Sequence, residues 1–160
     1  MSFWVPSQNK LCPCIVSSGG TIYWPYKPLK KAIYGKVMLA CTLERKDPIE
    51  GHALVAEVTA VRVAIKCISR EIIAAGTHAE DPLREIAAMQ ALYPPGHTNV
   101  LRLIECVQDP TTLFACLPFK EKGELDSKSA RVRFGFIYAN YDPQYFYYEC
   151  VIMARKLRCV

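Results

Sequence analysis

One helical segment lies between two pairs of strand-like segments, and this order restricts residues 21–126 to an α+β fold. The helix is predicted for residues 82–93. Asp81 can cap its first turn, Pro82 suits the first helical position, and a Pro-Pro-Gly sequence at 94–96 ends it. Strands are predicted at residues 36–42, 58–68, 100–107 and 112–117, with a loop at 43–57 and a turn at 108–111.

Both flanks of this unit differ from it in composition. Residues 1–20 are rich in Ser, Pro and Gly without a sustained period, so we expect a poorly ordered leader. Residues 127–160 hold eight of the 17 aromatic residues and +4 of the formal net charge of +5. This aromatic, basic tail could stack single-stranded nucleic acid, act as an interaction or disordered tail, or be unrelated to the preceding domain. We favour the last interpretation over nucleic-acid binding.

The eight cysteines make up about 5% of the chain, and four lie inside apolar runs, which predicts buried free thiols rather than a disulfide scaffold. Cys12 and Cys14 are close together, but no His or second close Cys pair follows at zinc-site spacing, so no metal site is predicted. The start of the chain lacks a secretory signal, and no stretch approaches the roughly 20 apolar residues of a membrane span. We therefore expect an intracellular, cytoplasmic protein without a membrane segment.

Lys66 and Glu85 are the candidate functional pair. Strand alternation over residues 61–68 places Lys66 on the same face as Ala64, where a lone lysine is typical of a solvated edge strand. The helical period, however, places Glu85 inside the apolar stripe of residues 82–93. Burying an unpaired charge costs several kcal/mol, so Glu85 needs a cation, and Lys66 on the neighbouring sheet is the candidate. The sequence therefore predicts a Lys66–Glu85 ion pair.

Four motifs in this order resemble those of protein kinases. VAIK at residues 63–66 matches the third-strand motif of that family, and REI at 84–86 is similar to the helix motif that supplies its Glu. HTNVL at 97–101 resembles the turn before the fourth strand, and LFACLPFKEKGELD at 113–126 resembles the fifth strand, the hinge and the start of the next helix. The resemblance covers residues 21–126. It implies a kinase N-terminal lobe of the Ser/Thr type, similar to the calcium/calmodulin-dependent group, without a C-terminal lobe.

This resemblance implies a fold and a set of site residues. The fold would be an antiparallel sheet of about five strands with one main helix. Lys66 would bind the α- and β-phosphates of ATP, and Glu85 would hold Lys66 in place, so these two are the expected catalytic residues. The other expected nucleotide-binding residues are Leu29, Gly35, Val37, Ala64, Leu117, Pro118, Phe119 and Glu124, with Leu117 as gatekeeper, 118–120 as the hinge and Glu124 near the ribose.

The sequence departs from the family pattern at two places. In the glycine-rich loop, whose pattern is Gly-x-Gly-x-x-Gly-x-Val, only Gly35 and Val37 match, while Lys30 and Ala32 occupy the first two glycine positions. The charge of Lys30 could partly compensate for the lost backbone contacts. After residue 126 neither the catalytic-loop Asp nor the Asp-Phe-Gly metal ligand is found.

ATP is therefore the expected cofactor and partner. Mg²⁺ and a protein substrate are expected for the family, but the protein ligands of Mg²⁺ are absent from this sequence. We expect the chain as written not to turn over. A non-catalytic interaction module and a mispredicted fragment of a full-length kinase are the alternatives.

Overall fold

The computed structural model describes residues 1–76, 81–92 and 102–119, and in these ranges the chain forms an α+β fold. The strands are β1 (Ser2–Val5), β2 (Lys10–Pro13), β3 (Ile15–Val16), β4 (Ile22–Ala32), β5 (Gly35–Lys46), β6 (Val55–Ser69), β7 (Glu105–Gln108) and β8 (Thr112–Pro118). The helices are α1 (Arg70–Ala75) and α2 (Pro82–Ala91), and a 3₁₀ turn covers Pro6–Gln8. None of the described helices is long and apolar enough to cross a membrane.

The eight described strands form a single sheet with β6 at its centre. The order is β2-β1-β6-β5-β4-β3, and β8 pairs with both β6 and β7. β5 pairs with β6 along nearly its whole length, so β1 and β8 share the other edge of β6, one near each end. Every pairing is antiparallel except the short contact between Trp4 of β1 and Val55 of β6. The sheet is therefore larger than the predicted antiparallel sheet of about five strands.

Three of the extra strands come from residues 1–20, where the sequence predicted a poorly ordered leader. Phe3, Val5 and Cys12 are fully buried there. They pack with residues from β4, β5 and β6, among them Trp24 and Leu43. Each large apolar side chain that is buried contributes roughly 1.5–3 kcal/mol. The Ser, Pro and Gly residues lie largely at the ends of short strands and in turns, and this is why composition alone indicated disorder.

The predicted loop at 43–57 is strand at both ends, and the connection itself covers only residues 47–54. β5 continues to Lys46 and β6 begins at Val55, and the two strands remain paired through Leu43 with Val58 and Lys46 with Val55. The charges that indicated a loop lie on the exposed end of this hairpin, where Lys46 contacts Glu44 at 2.9 Å and Glu57 at 3.5 Å. Charged side chains tolerate a strand position when they face water.

Both faces of the sheet carry buried side chains, and α2 packs against one of them. One face, called here the helix face, packs against α2 in a cluster of Tyr34, Ala64, Ile68, Ile86, Met89, Leu103, Leu113, Ala115 and Leu117. The opposite face is formed by Tyr23, Ala40, Val63, Ile65 and Cys116. The alternation predicted for residues 61–68 is therefore confirmed, because Ala64 and Ile68 face α2 while Val63 and Ile65 point away from it.

Candidate functional site

Lys66 and Glu85 form a close ion pair between β6 and α2. The Lys66 Nζ lies 2.9 Å from Oε1 and 2.7 Å from Oε2 of Glu85, so the ammonium group donates to both carboxylate oxygens. The Lys66 side chain is 12% exposed and the Glu85 side chain 20% exposed. The predicted ion pair is confirmed. Its limited contact with water reduces the solvent screening that weakens ion pairs on the surface.

The position of β6 explains why Lys66 needs a partner. β6 lies between β5 and β8, so the interpretation of Lys66 as a solvated edge lysine is wrong. Its paired neighbours are Val37 on β5 and Ala115 on β8, and neither carries a charge. A lysine on an interior strand facing a helix is desolvated, and the cost of burying its charge is offset when that helix supplies an anion. α2 supplies it through Glu85.

The start of α2 sets the direction in which Glu85 points. The Asp81 side chain accepts hydrogen bonds from the backbone N–H groups of Leu83 at 2.9 Å and Arg84 at 3.4 Å, as an N-cap does. Ile86 and Met89 are buried against the sheet, and Glu85 lies beside them at the helical period. A carboxylate in the first turn is also stabilised by the helix dipole. The predicted N-cap is thus confirmed, and it positions the acidic partner of Lys66.

An apolar floor adjoins the ion pair on the helix face. We use this name for Val37, Leu39, Ala64 and Leu117. Leu39, Ala64 and Leu117 form one row across β5, β6 and β8, next to the row that contains Lys66. These three side chains are buried, while Val37 is half-buried at the margin. Successive rows on one face are about 6.7 Å apart, so an apolar surface lies within one small-molecule length of the Lys66 ammonium group.

Gly35 has a packing role in the structure. It begins β5 after a two-residue turn, Ile33 and Tyr34, and its φ is +151°. A Cβ at this position would lie 2.3 Å from the carbonyl oxygen of Cys67 on β6, which is far inside van der Waals contact. The Tyr34 carbonyl also accepts a hydrogen bond of 2.8 Å from the Ser69 N–H. The turn is therefore held tightly against β6, and Gly35 is required for that approach.

The other predicted nucleotide-binding residues lie in β4, at the end of β8 or outside the described residues. Leu29 is half-buried in an irregularity of β4 between Pro28 and Lys30. Pro118 ends β8 opposite Val63, and Phe119 follows it, half-buried against the helix-face cluster. Glu124, Lys120 and the motif at 97–101 lie outside the described residues.

Tyr34 belongs to the site region, although no sequence motif pointed to it. Turn tips are usually exposed, yet its side chain is 6% exposed and belongs to the helix-face cluster. The available signal was an aromatic residue directly before a glycine at a predicted turn. That signal does not reveal which way the ring points.

A cavity of about 690 Å³ opens on the same side of the sheet, further from the β4–β5 turn. The cavity is lined by a row of three residues across β4, β5 and β6, namely Trp24, Cys41 and Arg62. Much of the remaining cavity wall is formed by Tyr26 and Phe119. Arg62 precedes Lys66 by four positions, so the cavity is about 13 Å from the ion pair along β6. Its size suits a small molecule. The candidate site remains at the ion pair, because the cavity lining contains neither Lys66 nor Glu85.

The cysteines of the described ranges are free thiols, and four of the six are buried. Burial raises the pKa of the Cys116 thiol to about 12 and that of Cys14 to about 11. Thiols with raised pKa values are poor nucleophiles at neutral pH, so these side chains serve packing. In residues 1–76, 81–92 and 102–119, no three His, Cys, Asp or Glu side chains are placed to hold a metal ion together.

A partly buried hydrogen bond spans the opposite face of the sheet. The Tyr23 hydroxyl donates to Glu105 Oε1, which links β4 to β7 although these strands are not neighbours. Burial and, after it, this hydrogen bond raise the pKa of Tyr23 above its ordinary value of 10.0. The neutral phenol is therefore the form that the fold stabilises.

We expect the protein to lose stability as the pH rises from about 9 toward 12. The Cys116 thiol is protonated in the fold up to a pKa of about 12, whereas its ordinary value is 9.0. Above that ordinary value the unfolded chain releases the proton and the folded chain does not, so the contribution is complete below it and then declines. Replacing Cys116 with alanine should reduce the pH slope of the unfolding free energy by up to about 1.4 kcal/mol per pH unit.

Chemical denaturation at a series of neutral and alkaline pH values measures this slope. Leu117→Ala is the control, because it removes the neighbouring buried side chain without removing a titrating group. It should lower stability by about 2–5 kcal/mol at every pH and leave the slope unchanged. An identical slope for Cys116→Ala and the unaltered protein would contradict the assignment.

The candidate site combines three structural elements. Its observed elements are a bidentate ion pair, an apolar floor one row away and a tight glycine turn beside them. No protein-family model matches this sequence, and a search of the curated proteins finds no match either.

Proposed function

We propose that this chain binds a nucleotide, ATP in particular, on the helix face, as the N-terminal lobe of a Ser/Thr protein kinase. The observation that carries the proposal is the bidentate contact between Lys66 and Glu85. The lysine belongs to a VAIK sequence on an interior strand, and the glutamate comes from the first turn of the adjacent helix. In protein kinases this pairing holds the lysine that contacts the nucleotide phosphates.

The donors of Lys66 suit a phosphate ligand. An ammonium group has three N–H donors, and two of them are directed at the Glu85 oxygens. The third remains for a phosphate oxygen, and the carboxylate keeps the side chain from swinging away when the anion binds. Glu85 therefore acts as a positioning residue, and Lys66 is the residue expected to contact the ligand.

The apolar floor suits the adenine ring. Ala64 and Leu117 are buried, and the half-buried Val37 and Phe119 provide apolar surface at the margin. A flat ring against these side chains would lie one row from the Lys66 row, or about 6.7 Å. This separation is compatible with a molecule that has an apolar ring at one end and phosphates at the other.

We expect binding without phosphoryl transfer. The sequence contains neither the catalytic-loop Asp nor the Asp-Phe-Gly motif, and the described residues provide no cluster of metal ligands. We therefore assign the described residues a role toward the nucleotide and none toward its Mg²⁺ ion.

Replacing Lys66 with methionine should weaken ATP binding at least tenfold, because a hydrogen bond to a charged group contributes about 1.5–3 kcal/mol. Calorimetric titration of ATP into the full 160-residue chain measures the change. Lys36→Met is the matched control, since Lys36 is exposed on the opposite face and the substitution alters the net charge equally. Its ATP affinity should remain within twofold of the unaltered chain (a factor of two is about 0.4 kcal/mol).

Two results would contradict the proposal. If the Lys66→Met and Lys36→Met proteins bind ATP with equal affinity, the ion pair is not part of the ATP-binding site. Transfer of phosphate from ATP to a protein by the purified chain, lost in Lys66→Met, would show that the expectation of no turnover is wrong.

A further inference from the structure

An irregularity in β4 places two lysines on one face of the sheet. Lys27 and Lys30 are three positions apart, so a regular strand would point them to opposite faces. Lys27 pairs with Leu39 and Lys30 pairs with Val37, and the register shifts between Pro28 and Lys30. Leu39 and Val37 are two positions apart on β5 and therefore share a face. The bulge at Leu29 thus turns Lys30 to the side of Lys27.

That side is the helix face, where Lys66 lies. Val37 pairs with Lys30 on one side and with Lys66 on the other, so the two lysines are in one row across β4, β5 and β6. Their backbones are two strand spacings apart, or roughly 10 Å. Lys27 lies one row further along, beside the apolar floor. Flexible four-carbon side chains can close such a gap around a single polyphosphate group.

The hairpin between β4 and β5 cannot offer the usual backbone cradle. Its strands are paired up to Ala32 and Gly35, which leaves a turn of two residues. Gly35 is pressed against the Cys67 carbonyl, and Lys30 and Ala32 carry side chains where an open phosphate loop would have glycine. Phosphate binding at this hairpin therefore has to depend on side-chain charge.

We infer that Lys27, Lys30 and Lys66 form a cationic strip that binds the polyphosphate group of the nucleotide through their ammonium groups. The inference rests on the proposed function, and it specifies the ligand as a nucleoside di- or triphosphate rather than a nucleoside. Because ammonium groups act as point charges, affinity should increase with the number of phosphates and decrease with added salt.

The test compares Lys30→Gln with Lys31→Gln. Lys31 is the next residue, but it pairs with Lys36 on the opposite face and is exposed, so both variants lose one positive charge at nearly the same place in the chain. Three probes are titrated into the full chain: ATP, adenosine and inorganic tripolyphosphate. We expect Lys30→Gln to weaken ATP and tripolyphosphate about fivefold and to leave adenosine unchanged, while Lys31→Gln changes none of them by more than about twofold.

The probes separate the inference from the proposed function. If ATP binds and the Lys30→Gln and Lys31→Gln proteins have equal affinity for it, the cationic strip is contradicted and the nucleotide proposal stands. If tripolyphosphate binds and is weakened only by Lys30→Gln while ATP and adenosine bind no better than tripolyphosphate, the strip stands and the nucleotide proposal fails. If none of the probes binds the unaltered chain, both are overturned. A loss of adenosine binding in Lys30→Gln would also contradict the inference, because it would indicate a general disturbance of the fold.

Discussion

Replacing Phe3 with alanine should destabilise the protein by about 3–5 kcal/mol, which is a large part of the roughly 5–15 kcal/mol that holds a typical domain folded. Phe3 is 2% exposed and packs in one cluster with Cys12, Trp24 and Leu43. Its removal would leave a cavity where residues from β1, β2, β4 and β5 meet. Because those strands are tied together by the sheet, the cavity cannot collapse easily, and the full cost should be observed.

Leu11→Ala is the matched control for this substitution. Leu11 lies in β2, pairs with Trp4 of β1 and is 59% exposed, so it shares the strand environment without being buried. We expect it to change stability by less than about 0.5 kcal/mol. Urea denaturation of both variants gives the comparison. A cost below about 1 kcal/mol for Phe3→Ala would mean that residues 1–20 contribute little to the core, as expected of a leader.

Replacing Gly35 with alanine should cost about 3 kcal/mol or more, because strain in φ and a backbone collision are combined at one position. The added Cβ would lie 2.3 Å from the Cys67 carbonyl oxygen, and a backbone atom on an interior strand cannot move aside as a flexible side chain would. To relieve the contact, the hairpin would have to separate from β6 near Ser69.

Gly51→Ala isolates the contribution of the collision. Gly51 also has a positive φ, +79°, but a Cβ there would meet nothing within 4 Å. Its replacement should therefore show only the conformational cost, roughly 1–2 kcal/mol. Thermal or urea denaturation measures both variants. If the two costs are equal, β6 yields at Cys67 and the tight approach of the turn is not required for stability.

The ion pair could be predicted because its signals are local. Asp81 and Pro82 set the start of α2, the helical period then placed Glu85 toward the sheet, and the cost of an unpaired buried charge required a cation. Strand alternation then predicted the face of the strand on which the Lys66 side chain lies. Each step needed only residues close in sequence and one energetic argument, and the distances of 2.9 and 2.7 Å agree with it.

The N-terminal strands could not be predicted, because the contacts that stabilise them are made with residues distant in sequence. β1 and β2 have four residues each and β3 has two, which is too short for alternation to be recognised. Their stability comes from pairing with a distant strand and from a core shared with β4 and β5. The bulge at Leu29 is a similar case. A regular strand would place Lys27 and Lys30 on opposite faces, and the shift in the register of β4 on β5 places them on the same face.

The pairing of Trp4 with Val55 also determines the order in which the chain can assemble. β1 pairs locally with β2, but its partner in the rest of the sheet lies 51 positions later in the chain, whereas β5 and β6 are joined by a short connection. Closing a long loop costs more entropy than closing a hairpin, so the hairpin forms first and the N-terminal strands are added to it. Until then, the apolar side chains of Trp24 and Leu43 lack their cover, and the newly made protein passes through a stage that is prone to association.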